Sequence, residues 1–124
     1  MVRSNMILIV EDDPIARRAL QCLFAAHGYL SQAVETAEAA LEHLRNAAIP
    51  GMVLIDIDLP GMSGLQLLRT LQAEFPTLPC TLMSANDPDV VPRETRPTVT
   101  FLPKPLDVKR LFRVVAESPE EPVS

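Results

Sequence analysis

Aromatic side chains are scarce, at 4% of 124 residues with no tryptophan, although 48% of the chain is hydrophobic. A core made of aliphatics and alanine suits strands covered on both faces by alanine-rich helices, which favours an α/β domain over an all-β sandwich. No window carries a stripe of Lys and Arg, and the net charge is −5. The attraction that supplies most non-specific nucleic-acid affinity is therefore missing, and direct nucleic-acid binding is not expected. Nor is there a run of the ~18 to 20 apolar residues that a membrane span needs, or a basic segment leading into a signal-type apolar core. A cytoplasmic protein with no membrane contact is expected. Cys22 and Cys80 lack metal-ligand spacing and read as two buried free thiols. The length suits one domain, 1–117, with no room for a separate effector domain, followed by a disordered, acidic, proline-containing tail over 118–124.

Apolar runs and helical patterns alternate along that domain. Met6 to Val10 reads as a buried strand, and Pro14 opens a helix with Ala16, Ala19, Leu20 and Leu23 on one face that Gly28 closes. Tyr29 to Val34 is a second strand. Thr36 caps a helix with Glu38 in its first turn and Ala37, Ala40, Leu41 and Leu44 as its buried stripe, until Pro50-Gly51 breaks it. Met52 to Asp56 is the third strand. Ser63 caps a helix running to about Phe75, with Leu65, Leu68 and Leu71 inward, and Thr81 to Ser84 follows as the fourth strand. The rhythm then breaks over 86–97, where Pro88, Pro92 and Pro97 stand in the place of a fourth helix. An interior proline costs a helix about 3 kcal/mol, so only a short or distorted helix near Asp89 to Glu94 is expected there. Val99 to Leu102 is the fifth strand, and Asp107 caps a last helix carrying Val108, Leu111, Phe112 and Val115.

Strands alternating with helices imply a parallel sheet with right-handed crossovers. In a doubly wound, flavodoxin-like sheet of order 2-1-3-4-5, ligands bind outside the strand ends where the order reverses, between strands one and three. Both of those strands end in acids: Val10 runs into Glu11-Asp12-Asp13, and Ile55 runs into Asp56-Ile57-Asp58. Carboxylates crowded into one crevice raise each other's pKa unless a cation compensates. Oxygen-only ligands in an incomplete set point to Mg²⁺, which keeps sites for water and phosphoryl oxygens. Asp56 is then placed to act as an acyl-phosphate nucleophile. Ser84 at the end of strand four and Lys104 after strand five offer a hydroxyl and an ammonium to phosphoryl oxygens.

From Asn5 to Glu117 the chain resembles the receiver domain of two-component response regulators. The resemblance rests on Val10-Glu11-Asp12-Asp13, on Asp56-Ile57-Asp58-Leu59-Pro60-Gly61-Met62-Ser63-Gly64, on Ser84-Ala85 and on Lys104-Pro105, each at a strand end and in the family's order. It implies a signalling module rather than an enzyme, in which Asp56 accepts a phosphoryl group from a histidine kinase or phosphotransfer protein and switches a face that binds a downstream partner. It further implies that Glu11 and Asp12 are the acidic pair and Asp13 a helix cap. Asp12 then binds Mg²⁺ directly, Glu11 supports it through water, and the Asp58 backbone carbonyl completes the protein ligands beside Asp56. By the same resemblance Lys104 pairs with the phosphoryl group, Ser84 swings toward it, and Phe101 is the aromatic switch that turns inward. Asp58 and Asn86 hold the positions that tune dephosphorylation.

The chain also departs from the family pattern. Its 86–97 segment is short and proline-rich, which bears on the usual output face and on any homodimer formed through it. Leu106 stands where phenylalanine is common, and Phe101 lacks a tyrosine's hydroxyl. Two other readings compete. One is a phosphorylation-independent interaction module with the same fold. The other is a haloacid-dehalogenase-type phosphatase, whose nucleophile motif Asp56-Ile57-Asp58 resembles, although there the motif follows the first strand and a cap is present. Gly61 and Gly64 read as turn glycines, and His27 and His43 as surface or helix-end residues.

Overall fold

The computed structural model describes residues 6–85 and 99–117. The helix expected near Asp89 to Glu94, Asn86 and the 118–124 tail lie outside the described residues. Five strands, β1 (Met6–Val10), β2 (Leu30–Val34), β3 (Met52–Asp56), β4 (Cys80–Ser84) and β5 (Thr100–Pro103), form one parallel sheet of order β2-β1-β3-β4-β5. Among the described residues four helices connect or follow them: α1 (Pro14–Ala26), α2 (Ala37–Asn46), α3 (Gly64–Glu74) and α4 (Val108–Glu117). None is long and apolar enough to cross a membrane.

The side-chain period of two divides the core into two layers. Leu8, Val10, Val53, Ile55 and Leu82 face α2 and α3, whereas Ile7, Ile9, Leu54, Met83 and Leu102 face α1 and α4. Helices on both faces bury every position of β3 and β4. Each helix starts at a cap chosen by local chemistry. Asp13 accepts from Ile15 N–H ahead of Pro14, Thr36 from Ala39 N–H, and Asp107 from Lys109 and Arg110 N–H. Ser63 and Gln66 form a reciprocal capping box at α3. Gly28 and Gly61 hold positive φ, as turn glycines should.

Helix phase departs from expectation in three places. In α1 the inward positions are Leu20 and Phe24, and Ala19 is exposed. Phe24 meets Phe112 edge-on with ring centroids 5.5 Å apart, fastening α1 to α4. Cys22, two residues from Leu20, is turned by about 200° on the helix, so it is exposed while Cys80 is buried. In α3 Leu67 joins Leu68 and Leu71 in the core, and Leu65 is only half-buried.

Gly64 corrects a further expectation, because it opens α3 instead of forming the turn. An added Cβ would lie 2.5 Å from the Asp56 carbonyl oxygen and 2.6 Å from Ile57 Cα. Helix propensity favours alanine over glycine by up to about 1 kcal/mol, but this close approach reverses the sign. Gly64→Ala is expected to cost about 1–3 kcal/mol in chemical denaturation, as overpacking does. A variant as stable as the wild type would contradict the packing of α3 against the end of β3.

Candidate functional site

The strand order brings the ends of β1 and β3 side by side, with Val10 paired to Ile55. The next residues are acids. Glu11 and Asp56 are 2% and 4% exposed, while Asp12 is exposed. Their carboxylate oxygens can all lie within 4.8 Å of one another. An oxygen-only cluster of this size fits a hard divalent ion such as Mg²⁺.

One cation of the chain already enters this cluster. Lys104 Nζ donates to Asp56 Oδ2 at 3.0 Å and to Glu11 Oε1 at 3.3 Å. It reaches them because Lys104 follows β5, where its backbone N–H donates to the Ser84 carbonyl at 2.8 Å. Asp56 Oδ1 accepts from Asp58 N–H at 3.0 Å, so both of its oxygens are held.

These contacts separate the two buried acids. Burial pushes the Glu11 carboxyl up to about 7, assisted by its hydrogen bond with Asp56 and repulsion from it, and Lys104 offsets only part of the rise. Burial alone would raise Asp56 too, but hydrogen bonds from Glu11, Asp58 N–H and Lys104 hold it below the usual carboxylate range. The crevice thus takes its first proton on Glu11 and keeps Asp56 ionised. Burial alone would weaken the charge on Lys104, but Asp56 and Glu11 together raise its pKa.

A cavity of about 440 Å³ opens beside the acids, with Ala16, Leu20, Met83 and Leu106 among its walls. Ser84 is fully buried at the end of β4, one register step past Met83, which pairs with Asp56. Phe101 on β5 is half-buried, pairs with Leu82 of β4 and packs against the α2/α3 core layer. Asp58 is exposed on the loop after β3. Asp13 caps α1, and its N–H lies 3.5 Å from Glu11 Oε2.

Arg17 belongs to the same neighbourhood and carried no signal in the sequence. Its Nη1 donates to the carbonyls of both Glu11 and Asp12 at 3.0 Å. His27 caps the far end of α1, stacked on Phe112, and His43 lies in the last turn of α2. Neither belongs to the acid cluster.

Residues 7–116 match the family model of the response regulator receiver domain. The chain belongs to the response regulator receiver family. Among curated relatives, this receiver is 36% identical over 112 residues to the response regulator protein FleR of Pseudomonas aeruginosa, covering 89% of the chain and 24% of that protein. It is 33% identical over 116 residues to the DNA-binding transcriptional regulator NtrC of Proteus hauseri, covering 92% and 24%. The receiver therefore spans about a quarter of the length of these relatives. A response regulator receiver protein from Pseudomonas putida superposes with a TM-score of 0.84 at 28% identity, over 94% of this chain and 98% of that one. A CheY-like receiver domain from Methanospirillum hungatei shares the fold, with a TM-score of 0.80 at 22% identity over 92% of each chain.

The raised Glu11 pKa carries a stability prediction whose sign is fixed. A carboxyl that titrates near 7 in the fold and near 4.5 in its ordinary state contributes stability below 4.5 that is lost as pH rises through 7. In a chelator-treated sample the melting temperature should fall across that window, and Glu11→Gln should flatten the fall. Equal slopes in the two proteins would remove Glu11 as its source.

Proposed function

We propose that the receiver accepts a phosphoryl group on Asp56 from a phosphohistidine of a histidine kinase or phosphotransfer protein, and that the modified domain then binds a downstream partner. The observation that carries this reading is Asp56 itself: buried, ionised, and held through both oxygens at a strand end. An Asp56 oxygen attacks phosphorus while the bond from phosphorus to the donor imidazole breaks, and that imidazole leaves with the bonding pair and takes up a proton. Lys104 supplies positive charge beside Asp56 Oδ2, where charge builds on the phosphoryl oxygens. The Ser84 hydroxyl is the group that turns to the phosphoryl oxygens, and Phe101 moves with it on the neighbouring strand.

The cluster of Glu11, Asp12 and Asp56 suits Mg²⁺, with the Asp58 backbone carbonyl as a further ligand in this reading, and when bound the ion would neutralise phosphoryl oxygen charge. Asp12 and Asp56 hold the ion directly in this reading, with Glu11 acting through water. Relatives named as a response regulator protein and a DNA-binding transcriptional regulator support a place in two-component signalling in the cytoplasm. The Asp-x-Asp pair lies at the end of β3, whereas the phosphatase motif belongs to a first strand, so a phosphatase is disfavoured.

Incubation with acetyl phosphate and Mg²⁺ should add one phosphoryl mass to the intact chain. Asp56→Asn, or omission of Mg²⁺, should abolish the addition. An unlabelled wild type, under conditions that label a control receiver, would sink the proposal and favour a phosphorylation-independent module. Repeated turnover of a phosphate ester would favour the phosphatase.

A further inference from the structure

We infer that Arg17 is a positioning residue for the metal site, acting through the backbone of the acidic pair. The inference rests on the Mg²⁺ reading above. Only Glu11, Asp12 and Asp13 separate β1 from α1, and two of the three have side chains tied down. Glu11 is held by Lys104, and Asp13 caps the helix. Asp12 differs, since its carboxylate makes no hydrogen bond or ion pair among the described residues. What orients it is its backbone, because the carbonyl on each side of its Cα accepts from Arg17 Nη1 at 3.0 Å.

Arg17 is well placed to hold that pose. It lies one turn into α1, its own N–H donates to the Asp13 carbonyl at 2.9 Å, and its side chain is 22% exposed. A competing explanation is the ion pair with Glu35. That contact is 3.8 Å long, and the Glu35 side chain is 69% exposed, where such pairs contribute little. The two carbonyl bonds are shorter, at 3.0 Å each, and the one to Glu11 is part-buried, so they are the principal contacts of the guanidinium.

Charge and positioning predict opposite signs. If Arg17 acted only as a nearby cation, removing it would relieve repulsion toward Mg²⁺ and tighten binding. If it positions Asp12, removing it weakens binding, by about tenfold on the scale typical of outer-shell partners.

The test is Mg²⁺ titration of the full chain by calorimetry, together with the Mg²⁺ dependence of acetyl phosphate labelling. Arg17→Met should bind Mg²⁺ about tenfold more weakly and should recover labelling when Mg²⁺ is raised in proportion. Arg17→Lys, which keeps N–H donors and charge on a shorter stem, should restore part of the affinity. Unchanged or tighter Mg²⁺ binding by a folded Arg17→Met overturns the inference. Should that variant not fold, Arg17→Gln, too short to reach both carbonyls, is judged by the same criterion. Failure of both to fold makes Arg17 a structural residue and also overturns it. A wild type that binds no Mg²⁺ defeats the metal reading itself, which is a different outcome from a wild type that binds and an Arg17→Met variant that binds equally well.

Discussion

An ammonium held between two buried carboxylates, Lys104 at 3.0 Å from Asp56 and 3.3 Å from Glu11, is the constraint from which the rest of the site follows. Without it both acids at this burial would be pushed further toward their protonated forms. The fold supplies this contact from distant parts of the chain. The central strands deliver Glu11 and Asp56 at neighbouring ends, and β5, two strands away from β3, returns Lys104 across the end of β4. The packing of Gly64 against the Asp56 carbonyl and the grip of Asp58 N–H on Oδ1 then hold the acceptor from below. Three carboxylates against one ammonium still leave the crevice short of positive charge, which is why a divalent cation suits it.

Much of this was legible in the sequence because it is carried by local rules. Five apolar runs with acids, a serine or a lysine at their ends gave the strands to within a residue or so, and Asp13, Thr36, Ser63 and Asp107 announced the helix starts. Alternation implies a parallel sheet with right-handed crossovers, and the order 2-1-3-4-5 is the one that goes with the receiver resemblance. The positions of Asp56, Asp12, Glu11 and Lys104 at strand ends mark them in the sequence, and they meet in the structure.

What the sequence hid depends on exact helix phase and on bonds from side chain to backbone. Alanines at 16 and 19 draw the expected face of α1 too far round, which leaves the core residue Phe24 off that face and puts Cys22 inside instead of on the surface. Gly64 reads as one more turn glycine because no local pattern encodes the approach of a helix start to the carbonyl at the end of β3. Arg17 was invisible for a similar reason: its partners are carbonyls, which every residue possesses, so no spacing marks the contact. The division of protons between Glu11 and Asp56 likewise arises from burial, from the hydrogen bond between the two acids, and from the Asp58 N–H and Lys104 contacts to Asp56.

The account stands on Glu11, Asp58 N–H and Lys104 together keeping Asp56 ionised as a nucleophile, with Lys104 as the cation among them. Carbon-detected NMR titration of the Asp56 carboxyl in the metal-free protein, alone and as Lys104→Met, tests that most directly. Asp56 in the wild type should titrate below its ordinary value of 3.8, and the substitution should move it upward. The same titration midpoint in both proteins would contradict the account.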